Sequence, residues 1–481
     1  MRFVEALSRR VAKRAALPGA VLLLVVAFKF NGLALPFYWD EHIFIIPSHW
    51  LSEQPLVRVL PGMHPPGTFY GHPPALYLVY AAQYKLFGDT LWVPHASALL
   101  FAYLGVWFTY RLGSHLANPL TGALAAAFLF FSPLYFAQST MVLADVPVTG
   151  LGVMTVYFGV RRRWIAYVLS GTLLVLVKET AVAIVVAVLV YSLVEQRASS
   201  GSWRAGLKYG VPLFAVGAFF AAERVTTGKF VANPFFDEAH PLFAFDLTSL
   251  HSILGIGVSR AGYVGTWLVF RQQKCLLTLL ILLGFVVYGR AAWKKEFLAF
   301  GLLLFFFWSA FSLIFFSPRY LLPTLPCLCI AAAWATHLFA RGSFLRQAVA
   351  GVVVVLVFIS AYGADEGMYN SETNMQFADE VAVQREACRY VEDRFPEKTV
   401  LAAWPLSHEL AAPYLGYVRR PVKVGALGSP CDLVLYAPGG DDNQKKIKGL
   451  VQQENLVRCE TFCRGGRYVE LFVAKAGPTP R

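Results

Sequence analysis

The segment LPGAVLLLVVAFKFNGLAL (residues 17–35) leads directly into Phe37-Tyr38-Trp39-Asp40-Glu41-His42. The apolar segment is long enough to cross a bilayer as a helix. Basic residues precede it and no small-residue cleavage site follows, so we predict a retained first helix that begins in the cytoplasm. Two adjacent carboxylates then stand where the chain meets water, since a charge inside the hydrocarbon is costly. Taken alone, Asp40 and Glu41 fit either the end of that helix or an acid in an active site.

The composition of the chain is typical of a polytopic membrane protein. Hydrophobic residues make up 57% of the 481 residues and charged residues 15%, whereas a soluble chain has about 25% charged residues. The formal net charge is +13, and a strongly positive charge is also typical of proteins that bind nucleic acid. Here, however, many basic residues fall in short clusters between apolar segments, as they do in cytoplasmic loops. We therefore expect no nucleic-acid partner.

Apolar segments and charges together predict one topology. At about 20 residues per span, the sequence holds about eleven apolar segments, and an odd number places the C-terminus outside when the N-terminus is inside. These segments are 17–35, 93–112, 119–134, 148–160, 164–178, 181–194, 209–223, 274–290, 297–316, 321–339 and 348–363. Basic clusters such as Arg161-Arg162-Arg163 then lie on the cytoplasmic side. A second set of charged residues lies at span ends on the outer side: Asp40, Glu41, Asp145, Lys178, Glu179 and Arg319.

Two outer loops and a C-terminal domain complete the predicted architecture. Loop 36–92 is rich in proline and aromatic residues, and its segment Pro74–Phe87 predicts a helix along the membrane interface. Loop 226–262 predicts a second interfacial helix around 246–258. Residues 1–363 would form a membrane module, and residues 364–481 a small soluble α/β domain outside the membrane. Its predicted strands lie within 398–404, 422–426, 432–436 and 467–475, and its predicted helices within 408–415 and 442–457.

Four of the seven cysteines lie in this C-terminal domain: Cys388, Cys431, Cys459 and Cys463. No spacing among them fits a zinc site. Because the predicted topology places the domain outside the cytoplasm, we expect one or two disulfides, and the sequence does not choose their connectivity.

The charged residues on the outer side suit one kind of chemistry. Each alone has a simpler explanation, since Asp145 could cap a helix that has Pro147 in its first turn and Arg319 could reach lipid headgroups. Together they combine carboxylates, which can accept a proton from a hydroxyl or amine, with cations that bind phosphate and stabilise charge on a leaving group. A phosphate attached to a lipid, held at headgroup depth, would fit such a site.

Several motifs in a fixed order carry a family resemblance. They resemble the polyprenyl-phosphate-sugar-dependent glycosyltransferases of the GT-C superfamily, in the branch of the protein O-mannosyltransferases and the 4-amino-arabinose transferases of lipid A. The resemblance is clearest over residues 36–195 and weakest in the C-terminal domain. The motifs are Trp39-Asp40-Glu41 with Gly71-His72-Pro73-Pro74-Ala75-Leu76-Tyr77, then FSPLYFAQSTMVLADVP (residues 131–147), Leu176-Val177-Lys178-Glu179-Thr180, and Ser317-Pro318-Arg319-Tyr320-Leu321-Leu322-Pro323.

The resemblance implies roles for individual residues. Asp40 matches the first-loop acid of the family, a general base or an acceptor-orienting carboxylate, and Asp145 matches a second acid. His72 stands where some relatives carry Lys, and a neutral imidazole would bind phosphate less strongly than an ammonium. Asp40-Glu41 is not an Asp-x-Asp motif, so we expect catalysis without a metal and without a cofactor. The implied catalytic residues are Asp40, Glu41 and Asp145, and the implied ligands of the donor phosphate are Arg319, Lys178 and His72.

We therefore expect a monomeric enzyme that transfers a monosaccharide, with inversion, from a polyprenyl-phosphate donor to a lipid, protein or glycan acceptor. Its site would face the periplasm from a bacterial inner membrane. The alternatives are a transporter or lipid flippase, and a polymerase or ligase of lipid-linked glycans. Transporters often show internal repeats and charges at mid-membrane, and the sequence shows neither. A polymerase or ligase would not be expected to show these motifs in order. Neither the sugar nor the acceptor can be identified from the sequence.

Overall fold

The computed structural model describes residues 17–65, 69, 71–229, 250–314, 316–364, 373–438, 442–453 and 456–474. Helices dominate as far as Ser360, and the strands lie after residue 399. The helices of the membrane module are α1 Leu17–Ala34, α2 Glu41–Ser52, α3 Ala75–Phe87, α4 Trp92–Leu116, α5 Pro119–Phe131, α6 Pro133–Gln138, α7 Asp145–Val160, α8 Trp164–Val177, α9 Val182–Ser200, α10 Leu213–Thr227, α11 Leu250–Val269, α12 Lys274–Tyr288, α13 Phe297–Leu313, α14 Leu325–Ala340 and α15 Phe344–Ser360.

Every predicted apolar segment contains a helix, but many of these helices are short or bent. Within the described chain, three helices are long and apolar enough to cross a membrane alone: Leu17–Ala34, Glu179–Ser200 and Pro318–Ala340. Two further pairs qualify only if each bent pair counts as one span, with bends of 48° after Arg204–Gly210 and 86° between Gly257–Val269 and α12. The mostly helical architecture is confirmed, whereas the count of eleven spans and the topology stay predictions.

Small residues let the central helices approach closely. A side chain on Gly150 of α7 would overlap the carbonyl oxygen of Phe101 in α4, and one on Gly122 of α5 would overlap Ser114 of α4. In lipid, where the hydrophobic effect does not drive helices together, close packing of this kind stabilises helix pairs. They fix α7 against α4, so the segment that leads into α7 is held in a defined place at the end of the bundle.

The two carboxylates of the predicted first outer loop stand at the start of a helix rather than at the end of one. Helix α1 ends at Ala34, and Asp40 is the residue immediately before α2, with Glu41 as its first residue. Negative charge at a helix N-terminus is favoured by the helix dipole. The explanation of the two carboxylates as a helix end is therefore wrong. The interfacial segment Pro74–Phe87 does form a helix, α3, from Ala75 to Phe87.

The loop predicted over residues 226–262 is described only in part. Residues 230–249, which include Asn233-Pro234 and Asp237-Glu238, lie outside the described residues. The expected interfacial helix around 246–258 overlaps α11, but α11 continues to Val269. It packs on α13, where the indole nitrogen of Trp308 donates to the carbonyl oxygen of Ala261 at 2.9 Å. The helix thus runs past the predicted end of the loop at residue 262.

The C-terminal domain is built on a mixed sheet. Strands β1 Val400–Ala402, β2 Val424–Gly425 and β3 Leu433–Tyr436 pair in parallel, and β5 Arg467–Ala474 pairs antiparallel with β3 and with β4 Leu456–Arg464, in the order β2-β1-β3-β5-β4. Four of these strands overlap the predicted ones. The helix predicted to reach Val457 ends at Gln453, and β4 follows it. The helices of the domain are α16 Phe377–Arg394, which was not predicted, α17 Leu406–Ala411 and α18 Asp442–Gln453.

The expected disulfides are absent from this structure. Cys388, Cys459 and Cys463 are free thiols, so no two of the four cysteines of the domain are bonded to each other. Cys388 is buried in α16 and Cys431 is half-buried, while Cys459 and Cys463 are exposed on β4. The domain has a small separate core, which includes Leu401, Val434 and Phe472. Other buried residues of the domain belong to the core of the membrane module.

Candidate active site

Arg319 lies at the centre of a buried cluster of charges. It is part of the 3-10 turn Pro318–Thr324 that precedes α14, and its side chain is 6% exposed. Its Nη2 contacts Oδ2 of Asp40, and its Nε lies 3.3 Å from Oδ2 of Asp145. The guanidinium group therefore joins the start of α2 to the start of α7, two elements that are more than a hundred residues apart in the sequence.

Asp145 is shared between two cations. Its Oδ1 accepts a hydrogen bond of 2.8 Å from Nζ of Lys178, which follows the end of α8. The Lys178 ammonium also lies 4.1 Å from the ring centroid of Tyr320. The structure thus brings Asp40, Arg319, Asp145 and Lys178 into one chain of ion pairs, which we call the charge cluster. Its two carboxylates and two cations balance, which reduces the cost of burying them.

Asp40 is the most exposed acid of the charge cluster. Its side chain is 20% exposed, against 5% for Asp145. It follows Trp39, whose backbone has a φ of +47° in the left-handed region, unusual for a residue with a side chain. This turn directs the Asp40 carboxylate at Arg319 just before α2 begins. Of the two acids, Asp40 is therefore the more accessible from outside the protein.

Glu41 faces a different environment from Asp40. It is 1% exposed, and its two carboxylate oxygens accept hydrogen bonds of 2.5 Å from the backbone N–H groups of Tyr38 and Val142. Burial raises the pKa of Glu41 to about 8, against the opposing effect of these two N–H groups and of Arg319. Glu41 thus ties the first loop to the segment before α7, and the structure does not bring it into the charge cluster.

His95 also joins the first loop to the segment before α7, and the sequence analysis did not identify it as a site residue. Its Nδ1 lies 2.6 Å from the carbonyl oxygen of Thr140 and 3.8 Å from Oε1 of Glu41, while its Nε2 lies 3.1 Å from the carbonyl oxygen of Leu35. An ionisable residue near the end of an apolar segment was the available signal. His95 connects the end of α1 with the segment before α7.

His72 forms a second pair beside the charge cluster. Its Nδ1 lies 2.9 Å from Oε2 of Glu179, the residue that follows Lys178. The imidazole stacks on the ring of Phe44, with centroids 5.8 Å apart and an interplanar angle of 12°. The two side chains are 17% and 26% exposed. The structure places His72 next to the cluster in space, through Glu179, rather than in direct contact with it.

An apolar groove of about 360 Å³ begins at Glu179 and Thr180. Helix α9 forms one wall, and α13, with Phe306 and Phe311, forms the other. Its lining is apolar apart from Glu179 and Thr180, which directly follow Lys178 in the sequence. Its shape and composition suit a hydrocarbon chain that carries a polar group at one end.

No group of three or more His, Cys, Asp or Glu side chains among the described residues could hold a metal ion. The carboxylates of the charge cluster face cations instead. The expectation that catalysis needs no metal stays a prediction.

The chain is similar to known membrane glycosyltransferases in part of its sequence and in its fold. The family model described as dolichyl-phosphate-mannose-protein mannosyltransferase matches residues 71–221, which contain His72, Asp145 and Lys178. The crystal structure of ArnT from Cupriavidus metallidurans in the apo state is similar over 98% of this chain and 100% of that chain, with a TM-score of 0.59 and 17% identity. The chain has the GT-C glycosyltransferase fold. The resemblance inferred from the motifs, to the branch of this superfamily that contains ArnT and the protein mannosyltransferases, is confirmed.

Two further solved structures support the same fold. ArnT from Cupriavidus metallidurans bound to undecaprenyl phosphate matches with a TM-score of 0.60 and 16% identity, over 97% of this chain and 100% of that chain. The oligosaccharyltransferase of Archaeoglobus fulgidus in complex with zinc and sulfate matches with a TM-score of 0.51 and 12% identity, over 84% of this chain and 62% of that chain. No curated protein sequence matches the chain.

Proposed function

We propose that this GT-C protein transfers a monosaccharide from a polyprenyl-phosphate donor to a hydroxyl or amine of an acceptor, with inversion at the anomeric carbon. The observation that carries the proposal is the buried charge cluster, in which the partly exposed Asp40 pairs with Arg319 while Asp145 pairs with both Arg319 and Lys178. The chain is expected to work as a monomer at the periplasmic face of a bacterial inner membrane. The acceptor would be a lipid, a protein or a glycan.

The donor phosphate would bind at Arg319 and Lys178. Arginine presents a planar set of donors to phosphate oxygens, and lysine a compact charge. The pair of His72 and Glu179 lies next to Lys178, and the imidazole would contribute a further contact. Both cations are already ordered by Asp145, so little conformational freedom would be lost when the donor binds.

The polyprenyl chain would occupy the groove between α9 and α13. The groove starts at Glu179, so a chain lying in it would present its phosphate to Lys178. The solved ArnT complex with undecaprenyl phosphate has the same fold as this chain, which supports a polyprenyl phosphate as the donor lipid.

Asp40 would act as the general base. As the acceptor oxygen or nitrogen attacks the anomeric carbon, its proton passes to the Asp40 carboxylate. The bond from the anomeric carbon to the phosphate oxygen breaks on the opposite face, and its electron pair leaves with the polyprenyl phosphate. Arg319 and Lys178 stabilise the charge that develops on that phosphate. Asp145, with each oxygen beside a cation, holds both in position, so we place it in the catalytic machinery with Asp40.

The proposal is tested by incubating the purified chain with a polyprenyl-phosphate monosaccharide and candidate acceptors. We expect free polyprenyl phosphate and glycosylated acceptor in equal amounts, and neither product from Asp40→Asn. Binding of donor by Asp40→Asn serves as the control for folding. Movement of intact donor between the leaflets of a vesicle, without release of polyprenyl phosphate, would overturn the proposal in favour of a flippase.

A further inference from the structure

The backbone of Trp39 is in a conformation that needs external support. Left-handed backbone at a non-glycine residue is unfavourable because the side chain crowds the following carbonyl. Such conformations persist where surrounding structure determines them, and they concentrate at functional sites. Trp39 has a φ of +47° and directly precedes Asp40. The direction of the Asp40 carboxylate therefore depends on whatever holds Trp39.

The support comes from the C-terminal domain. The ring of Trp39 lies edge to face with the ring of Trp404, with centroids 4.5 Å apart and an interplanar angle of 70°. Trp404 stands between β1 and α17, and its carbonyl oxygen accepts a hydrogen bond of 3.0 Å from Nε2 of Gln444 in α18. Trp404 is thus anchored by its own domain, and an aromatic pair of this geometry is favourable beyond the area it buries.

The same domain also holds the other side of the turn. The backbone N–H of Phe37 donates to the carbonyl oxygen of Leu415 at 3.0 Å. The carbonyl oxygen of Phe37 in turn accepts from Nε2 of His42, whose ring centroid lies 6.4 Å from that of Trp404. Residues 37–42 are consequently fixed between a backbone contact and a ring contact, both made by the C-terminal domain.

We propose that the C-terminal domain positions the catalytic base, and that Trp404 is the positioning residue that acts on Asp40 through Trp39. The inference rests on the proposed function, since Asp40 must be the base for its position to matter. Displacing a reacting group by about 1 Å can lower a rate roughly a hundredfold. The ring of Trp404 contacts Trp39 and lies near His42. Because the proposed effect of Trp404 is on Asp40 and not on Arg319 or Lys178, its loss should leave the binding of the donor phosphate intact.

The test compares Trp404→Ala with Trp404→Phe in the full chain. We expect Trp404→Ala to lower kcat roughly ten- to a hundredfold with the KM for the donor unchanged, and Trp404→Phe to recover most of the rate. The matched control is Tyr414→Ala, which removes another ring contact of the same domain, the stack on His49 with centroids 3.9 Å apart. Tyr414→Ala should retain the wild-type kcat. A wild-type kcat in Trp404→Ala, or an equal loss in Tyr414→Ala, would overturn the inference.

A double substitution distinguishes loss of the contact between Trp39 and Trp404 from a general disturbance of the fold. If Trp404 acts through Trp39, the variant that carries both Trp39→Ala and Trp404→Ala should be no slower than the slower single variant. Losses that multiply would mean that the two residues act independently, and would contradict the proposal.

Hydrogen exchange gives a measurement that needs no activity. The amides of His42 and Ile43 donate to the carbonyl oxygens of Trp39 and Asp40 at 3.1 Å. Trp404→Ala should accelerate their exchange, whereas Tyr414→Ala should not. Unchanged exchange in Trp404→Ala overturns the positioning role. If exchange accelerates but wild-type protein releases no polyprenyl phosphate, the positioning stands and the proposed function fails.

Discussion

Replacement of Asp145 by asparagine should destabilise the protein far more than the same replacement at Asp40. Asp145 is 5% exposed and faces Lys178 at 2.8 Å and Arg319 at 3.3 Å. Asp145→Asn removes the charge that both buried cations share. Breaking a buried ion pair by removing one partner costs about 3–5 kcal/mol, because the remaining charge stays buried and uncompensated.

Asp40 offers the matched comparison. It is 20% exposed and contacts Arg319, which retains Asp145 when Asp40 is changed. A partly solvated pair is worth less than a buried one, so we expect Asp40→Asn to cost about 1 kcal/mol. The two variants should therefore separate stability from chemistry: Asp40→Asn abolishes transfer in a nearly intact fold, while Asp145→Asn loses both.

Two controls sharpen the comparison. Asp145→Asn combined with Lys178→Met should be more stable than Asp145→Asn alone, because the second change removes the uncompensated ammonium. Glu195→Gln is a control at a second carboxylate that two cations share. Glu195 contacts Arg162 at 2.9 Å and Lys295 at 2.5 Å, but both of these cations are more than half exposed. It should cost at most about 1 kcal/mol.

Thermal unfolding in detergent, followed by a thiol-reactive dye, measures these effects. Cys327, Cys329 and Cys388 are buried in the folded chain and would react on unfolding. We expect the lowest apparent Tm for Asp145→Asn, with Asp40→Asn and Glu195→Gln close to wild type. Equal Tm values for Asp145→Asn and Asp40→Asn would refute the electrostatic reasoning, as would a double variant less stable than Asp145→Asn.

Three further predictions concern the surroundings of the charge cluster. Because the pKa of Glu41 in the folded chain, about 8, lies above its ordinary value of 4.5, its contribution to stability is fully present below pH 4.5 and is lost as the pH rises through 8. The apparent Tm of wild type should thus fall between pH 6 and pH 9 by more than that of Glu41→Gln, and equal falls would contradict the burial argument. His72→Lys should lower the KM for the donor at pH 8 relative to wild type, because an ammonium is still charged there; a higher KM would exclude a contact with phosphate. Ala183→Trp should fill the groove and raise the KM for a long-chain donor but not for a short-chain analogue, and equal KM changes would place the polyprenyl chain elsewhere.

The sequence predicts that the residues of the charge cluster lie on the same side of the membrane. It does not predict that Asp40 contacts Arg319 while the adjacent Glu41 lies outside the cluster. Basic residues mark the cytoplasmic ends of spans, so alternation along the chain assigns Asp145, Lys178 and Arg319 to the opposite end. Asp40 and Glu41 are adjacent, and at a helix start their side chains point in different directions. Which of them faces Arg319 depends on the backbone of Trp39 and on Trp404, more than 360 residues away in the chain.

In the C-terminal domain, the sequence predicts some strands and helices but not others. Strands β1 and β3 are buried and apolar, and the sequence predicts both. In β4 only Phe462 is buried, so buried and exposed residues do not alternate along the strand. The strand is defined instead by its hydrogen bonds to β5. Helix α16 does carry apolar residues at helical spacing, among them Val381, Cys388 and Val391, and that signal was available.

A structure of the full chain bound to a polyprenyl-phosphate monosaccharide would show directly whether Arg319, Lys178 and Asp40 have the proposed roles. We expect phosphate oxygens at about 3 Å from Arg319 and Lys178, the polyprenyl chain between α9 and α13, and the anomeric carbon facing Asp40. A donor phosphate bound away from both cations, or an anomeric carbon that Asp40 cannot approach even through the acceptor, would contradict it.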